Sequence, residues 1–278
     1  MPELPEVESL RRILMRSAVG RTIAGARIGR LPLRRRVTAN FGAAVTGRRI
    51  DAISRRAKYL IVEFDGPHVM LVHLGMSGSL THRSDRFAAA GDFDPRHDHI
   101  EFALDDGSRL VFNDPRRFGI VRLIARAELS TTAELKGLGP EPLSRGFDAA
   151  YMADKTRGRR VAIKNLLMDQ RIVAGIGNIY AAEILFRARV RPTRRAGRVS
   201  RAELARIVDA TRVILRAAIG SRGTTFRSYR DSSGRPGEFS RRLRVYGREG
   251  KPCYTCSTPI RNMTLGQRAS FYCPTCQK

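Results

Sequence analysis

The sequence predicts an α+β protein of two domains: a β-rich N-terminal half with a flanking helix, then a helical half that ends in a short cysteine-bearing hairpin. Three observations predict it. Runs of β-branched and aromatic residues, punctuated by turn signals, fill the stretch from Thr22 to about Val121. From about residue 148 to 220 the apolar period becomes that of a helix. All four cysteines fall within the last 26 residues. At 278 residues the chain is long enough to bury two cores without staples.

Each element has its own reason. In "MPELPEVES", Pro5 suits the first turn of a helix, and Val7, Leu10 and Leu14 recur behind it at helical spacing, so a helix is expected over Val7 to Ala18. "YLIVEFDGPHVMLVHLGMSG" places two β-rich runs around Asp65-Gly66-Pro67, and "HIEFALDDGSRLVFNDPRRFG" does the same around Asp106-Gly107. Several hairpins in series suggest a sandwich or barrel with the helix beside it. "ELKGLGPEPLSRGFD" is rich in Gly and Pro and reads as the interdomain connection. In "SRAELARIVDATRVILRAAIG", Ser200 caps, Glu203 completes a capping box, and Leu204, Ile207, Val208, Thr211, Ile214 and Leu215 share one face. Gly220 stands where that helix stops. The expected boundaries are an N-terminal domain over 1–133, a connection over 134–147, a helical domain over 148–238 with a long loop at 221–238, and a terminal module over 239–278. Loops of that length are uncommon without a function, and composition alone leaves a disordered linker to the terminal hairpin as the other reading.

Charge narrows the partner. Lys and Arg number 52 against 26 Asp and Glu, a formal charge of +26. Such an excess points to a polyanion, and its arginine bias suits forked contacts to phosphate. Nucleic acid is favoured over an anionic membrane surface. No stretch approaches the roughly 20 apolar residues of a spanning helix, and the N-terminus is acidic where a signal peptide is basic, so a cytoplasmic protein is expected. The pairs Cys253/Cys256 and Cys273/Cys276, with 16 residues between them, fit one structural zinc ion held by four thiolates. Two disulfides are the alternative, disfavoured in a reducing compartment. Four thiolates leave no open coordination position, so catalysis must lie elsewhere.

Pro2 and Glu3 are not required by the helix start. With the initiator methionine removed, Pro2 presents a secondary amine at the chain end. An α-amino group titrates near pH ~8 and a lysine near ~10.4, so at neutral pH on the order of a hundredfold more of the terminal amine is neutral and nucleophilic. Attack on a carbonyl-level carbon yields an iminium cation, an electron sink, and Glu3 can serve as the accompanying acid or base. A deoxyribose that is losing its base offers such a carbon within a polyanion. Reaching it means rotating a nucleotide out of the duplex and filling the gap. Met76 in "HLGMSGSL" and Arg116 to Phe118 in "NDPRRFG" sit on turns that can supply the wedge. Gly175 and Gly177 in "AGIGNIYAAEILF" follow a helical pattern, which argues against a dinucleotide site and for a turn that offers backbone N–H groups and Asn178 to a phosphate.

Taken in order, "MPELPEVES", "RRAKYL", "HLGMSGSL", "HDH", "NDPRRFG", "LGPEPL", "GIGNIYAAEILF", "GTTF", "VYGREGKPC" and "GQRASFYCPTCQK" resemble the bacterial formamidopyrimidine-DNA glycosylase family nearly end to end. The resemblance implies an N-terminal β-sandwich, a helix-two-turn-helix domain and a C-terminal zinc finger, with damaged double-stranded DNA in the cleft between domains. It implies excision of 8-oxoguanine and ring-opened purines followed by β,δ-elimination, by a monomer using one structural Zn2+ and no nucleotide cofactor. Pro2 would be the Schiff-base nucleophile and Glu3 the acid. Lys58 would act in β-elimination, and Arg268 at the finger tip would hold a phosphate and assist δ-elimination. Met76, Arg116 and Phe118 would fill the vacated stack, and His97, Arg116, Arg160, Lys164 and Asn178 would bind the DNA. The chain departs from the family's pattern at Ser257, Arg222, "DSSGRPGEF" and Arg160, which bears on the loop and on lesion preference. Two other readings remain open at this level: an endonuclease VIII-like preference for oxidised pyrimidines, and a zinc-containing protein that binds damaged DNA without cutting it.

Overall fold

The computed structural model describes residues 2–84, 94–224 and 237–278. The chain forms two compact units. The first comprises Met1–Lys136 with Ile219–Ser240, and the second Gly137–Ala218 with Arg241–Lys278.

The first unit holds helices α1 (Leu4–Ser17) and α2 (Phe41–Val45) and strands β1 (Ile23–Ile28), β2 (Ile50–Arg56), β3 (Tyr59–Phe64), β4 (His68–His73), β5 (Ser79–Arg83), β6 (Asp98–Leu104), β7 (Arg109–Asn113) and β8 (Ile120–Ala125). They make two antiparallel four-stranded sheets, ordered β1-β6-β7-β5 and β2-β3-β4-β8. One core joins them: Ile53, Leu60, Val62 and Met70 from one sheet meet Ile100, Phe102, Leu110 and Phe112 from the other, with Val7, Leu10 and Leu14 of α1 alongside. The expected sandwich and flanking helix are both present, and both turn signals lie between paired strands. On the second sheet the opposite face is also covered, because Ile61, Val69, Leu71 and Ile124 pack under Leu129 and Leu135. Burial on both faces explains why β3 and β4 read as continuous apolar runs rather than alternating ones.

Helix α1 begins at Leu4, three residues before the periodicity alone suggests. Glu3 is its N-cap. The Glu3 side chain accepts the Glu6 backbone N–H, while the Glu6 side chain accepts the Glu3 N–H at 2.8 Å. This reciprocal capping box satisfies two donors that the helix start would otherwise orphan.

The second unit holds α3 (Ala149–Thr156), α4 (Ile163–Met168), α5 (Asn178–Ala188), all but the last two residues of α6 (Arg201–Gly220), and the hairpin of β9 (Arg261–Leu265) and β10 (Arg268–Tyr272). The capping box of α6 forms as expected: the Glu203 N–H donates to Ser200 Oγ at 3.3 Å and the Ser200 N–H to Glu203 Oε2 at 2.8 Å. The hairpin packs on α5 through Ala182, Val245, Ile260 and the buried cysteines, with Tyr246 edge-on to Phe271 at 5.0 Å. Glu183 of α5, 1 % exposed, accepts backbone N–H bonds from Arg244, Val245 and Tyr246 and so fixes the turn that leads into the hairpin. Among the described residues, no helix is long and apolar enough to cross a membrane.

Candidate active site and nucleic-acid interface

Pro2 and Glu3 are buried at the N-terminus of α1. The capping box that starts the helix therefore also sets the direction of the Glu3 carboxyl. Glu6, 2 % exposed, spends its other oxygen on the Thr224 N–H at 2.7 Å, which joins the helix start to a segment 218 residues away. Gly223, with φ +80°, lies so close that a Cβ there would fall 2.6 Å from Glu6 Oε1. Further along, Glu8 locks α1 onto β2. Burial pushes its carboxyl pKa up, but hydrogen bonds from Arg11, Arg12 and Arg55 outweigh this and hold it at about 2.

Strand β2 leads to Lys58. Arg56 pairs with Tyr59, leaving Ala57 and Lys58 as a two-residue connection with Ala57 in the left-handed region at φ 53°. Lys58 is 6 % exposed, so its amine sits within the fold rather than in bulk solvent. Across β4, His73 pairs with Tyr59 and their rings lie 4.7 Å apart. Burial pushes the His73 pKa down to about 4, and the charges of Lys58 and Arg34 act in the same direction. Its Nδ1 accepts the Gly75 N–H at 3.0 Å, so the neutral ring carries its proton on Nε2.

Beyond His73 the chain turns sharply through Gly75, whose φ is +62° and whose Cβ, if present, would sit 2.5 Å from the Phe118 carbonyl carbon. This close approach brings two turns side by side. Met76 and Phe118 are exposed at 43 % and 42 %. The Arg116 guanidinium stands 4.7 Å from the centre of the Phe118 ring. All three border one surface cavity of about 680 Å³ with Arg34 and His73. Asp114, fully buried, organises the turn: Oδ1 accepts from Ser77 Oγ at 2.6 Å and the Arg116 N–H at 3.2 Å, and Oδ2 accepts the Gly119 N–H at 2.8 Å. The His97 carbonyl accepts the Asp114 N–H at 3.0 Å, placing that half-buried histidine at the base of the same turn.

In the second unit, Arg160 is exposed between α3 and α4. Lys164 is 1 % exposed and donates to the Ala269 carbonyl at 3.0 Å and to Ser270 Oγ at 2.5 Å. Asn178, the first residue of α5, donates to the same Ala269 carbonyl at 3.0 Å, and its Oδ1 is buried with no partner among the described residues. Arg268 is exposed and opens β10, directly after a Gly266-Gln267 turn with φ of 57° and 59°. The four cysteine Sγ atoms lie within 4.8 Å of one another, with 4.0 Å between Cys253 and Cys276, 3.4 Å between Cys256 and Cys273, and 3.5 Å between Cys256 and Cys276. A disulfide needs about 2.05 Å. A tetrahedral ion with Zn–S near 2.3 Å sets its ligands about 3.8 Å apart, and the cluster fits that group.

Residues 1–121 match the formamidopyrimidine-DNA glycosylase N-terminal domain, 138–230 the H2TH domain of the same enzymes, and 250–278 the zinc finger found in FPG and IleRS. The chain belongs to the formamidopyrimidine-DNA glycosylase family. It is 46% identical over 278 residues to the formamidopyrimidine-DNA glycosylases of Syntrophotalea carbinolica and of Halorhodospira halophila, with both chains covered in full. Among solved structures it is similar to MutM (Fpg) of Thermus thermophilus, at 37% identity and a TM-score of 0.87 over 99% of this chain and 98% of that one. It is likewise similar to Lactococcus lactis Fpg in complex with DNA containing an abasic site, at 33% identity and a TM-score of 0.88 over 99% of each chain. The four-cysteine site is the zinc site of the family's C-terminal finger.

The structure sets Met76, Arg116 and Phe118 around one cavity and the four cysteines around one site, and beside them it places three residues that no motif singles out: Glu6, His73 and Asp114. Glu6 stands three residues after Glu3, the spacing of a capping box, so the sequence did carry its signal. Asp114 precedes a proline in a turn, where an aspartate commonly binds nearby backbone N–H groups. Nothing local marks His73, whose setting is made by cross-strand neighbours. Of the long loop expected at 221–238, residues 225–236 lie outside the described residues. At its base, Arg222 and Glu238 form an ion pair at 2.6 Å.

Proposed function

We propose that the Pro2 nitrogen is the nucleophile of a bifunctional DNA glycosylase and AP lyase that removes 8-oxoguanine and formamidopyrimidines from double-stranded DNA. The observation that carries this reading is the position of Pro2, directly before an N-cap glutamate whose carboxyl is aimed by the helix it starts. With Met1 removed, the neutral amine attacks C1′ of the extrahelical nucleotide. The N–C1′ bond forms as the glycosidic bond breaks, and the electron pair leaves with the base, which takes up a proton. Loss of the amine proton and cleavage of C1′–O4′, with protonation of O4′ by Glu3, leave an iminium cation at C1′. That cation acidifies C2′. Removal of a C2′ proton, assisted by Lys58, expels the 3′ phosphate, and a second elimination expels the 5′ phosphate while Arg268 holds it. Met76, Arg116 and Phe118 occupy the space the nucleotide leaves, at an unstacking cost of a few kcal/mol per step.

His97, Arg160 and Asn178 hold phosphates around the lesion in this reading, and Asn178 stands at the positive N-terminal end of α5, which favours an anion. Zinc supplies rigidity to the hairpin that carries Arg268 and takes no part in bond making. The enzyme works as a monomer in a bacterial cytoplasm, on the nucleoid. Sodium borohydride added to a mixture with abasic-site DNA should give a covalent adduct that Pro2→Gly loses; a wild-type protein that gives none is a binding module. Faster excision of 8-oxoguanine opposite cytosine than of thymine glycol is expected, and the reverse order would move the chain to the pyrimidine-lesion reading.

A further inference from the structure

Lys164 and Asn165 of α4 and Asn178 of α5 converge on the backbone on either side of Arg268. The Lys164 amine is 1 % exposed and donates to the Ala269 carbonyl and the Ser270 hydroxyl. Asn178 shares the Ala269 carbonyl. On the other side of Arg268, Gly266 lies so close to α4 that a Cβ would fall 2.9 Å from Asn165 Nδ2. The hairpin tip is therefore pinned at positions 266, 269 and 270, while the Arg268 side chain between them projects into solvent. A buried amine loses its hydration, and hydrogen bonds to a carbonyl and a hydroxyl replace it only while both acceptors stay in place. Such a group fixes geometry strongly. A phosphate outside would compete poorly for an amine held this way.

We infer that Lys164 is a positioning residue for Arg268, setting the height and angle of the finger tip, and makes no phosphate contact of its own. The inference rests on the glycosylase and lyase reading, and it separates two roles that differ in what they do to salt dependence. A lysine on a phosphate adds about 0.9 to the slope of log affinity against log salt concentration. A lysine that aims an arginine leaves that slope alone and changes the step the arginine serves, because a misplacement of about 1 Å can lower a rate by on the order of a hundredfold.

Lys164→Met keeps the volume, and Asn178 still satisfies the Ala269 carbonyl. Binding to abasic-analogue DNA is measured from 50 to 200 mM salt, and the rates of β- and δ-elimination are measured on abasic DNA with saturating protein. The expected result is an unchanged salt slope and a δ-elimination rate lowered tenfold or more relative to β-elimination. Ser270→Ala removes one acceptor without altering charge; it should move the δ-to-β ratio the same way and keep one bound zinc per chain. It decides the matter if Lys164→Met fails to fold. A slope reduced by about one phosphate in Lys164→Met, or an unchanged δ-to-β ratio in either folded variant, overturns the inference. A wild-type protein that forms no borohydride adduct would instead overturn the underlying reading.

Discussion

Asp114 shows how much of the turn that carries Arg116 and Phe118 depends on one side chain. Its two oxygens accept from Ser77, Arg116 and Gly119, and the group is wholly enclosed, so Asp114→Ala leaves three donors to find other partners. The variant should lose about 2–4 kcal/mol of unfolding free energy in urea. A loss below about 0.5 kcal/mol would show that the turn holds itself together without the carboxylate. His73 offers a test that reads one atom. Its pKa is lowered to about 4, so its ring should remain neutral in an NMR titration down to pH 5. Because this base is harder to protonate when folded, the stability it contributes is present above the ordinary value of 6.5 and is lost as pH falls through about 4. Lys58→Met should raise the His73 pKa partway, since burial remains; an unmoved titration would show that the two groups do not interact.

At the scale of elements, α1 ties the candidate site to the core of the sandwich. The box of Glu3 and Glu6 starts the helix, the apolar stripe seats it, and Glu8 ties it to the strand that leads to Lys58. The Glu8 carboxylate, lowered to about 2, stabilises the fold fully above its ordinary 4.5, and this contribution disappears as pH falls through 2. Arg55→Met should therefore flatten the acid limb of stability between pH 4.5 and 2, and an unchanged limb would contradict the tie. The hairpin invites the parallel test: stripping zinc with a chelator should abolish nicking while the far-ultraviolet signal of the sandwich persists. Elements governed by neighbours in sequence were legible in advance, as the capping box of α6 and the turns at Asp65-Gly66-Pro67 and Asp106-Gly107 show. The long-range links at the candidate site were not. Glu6 meets Thr224 across 218 residues and Lys164 meets Ser270 across 106, and no local period encodes such pairs. The start of α1 at Leu4 is set by Pro5 and the Glu3–Glu6 capping box, whereas the apolar repeat begins only at Val7.

For the whole molecule, the charge of +26 is the property that brings it to DNA. A protein that neutralises about six phosphates should lose roughly a thousandfold in affinity between 50 and 200 mM salt, and a flat response would remove the electrostatic part of the account. In the proposed mechanism the sandwich supplies nucleophile and wedge, the helical unit the phosphate grip, and the finger a rigid arginine. That mechanism turns on one bond between the Pro2 nitrogen and a sugar carbon. The most direct measurement is peptide mapping by mass spectrometry of the borohydride-trapped complex with abasic-site DNA. Attack by the Pro2 nitrogen predicts a single modified peptide that begins at Pro2, lacks Met1 and carries the reduced sugar on the ring nitrogen. A trapped sugar on Lys58, or a fully active protein that retains Met1, would contradict it.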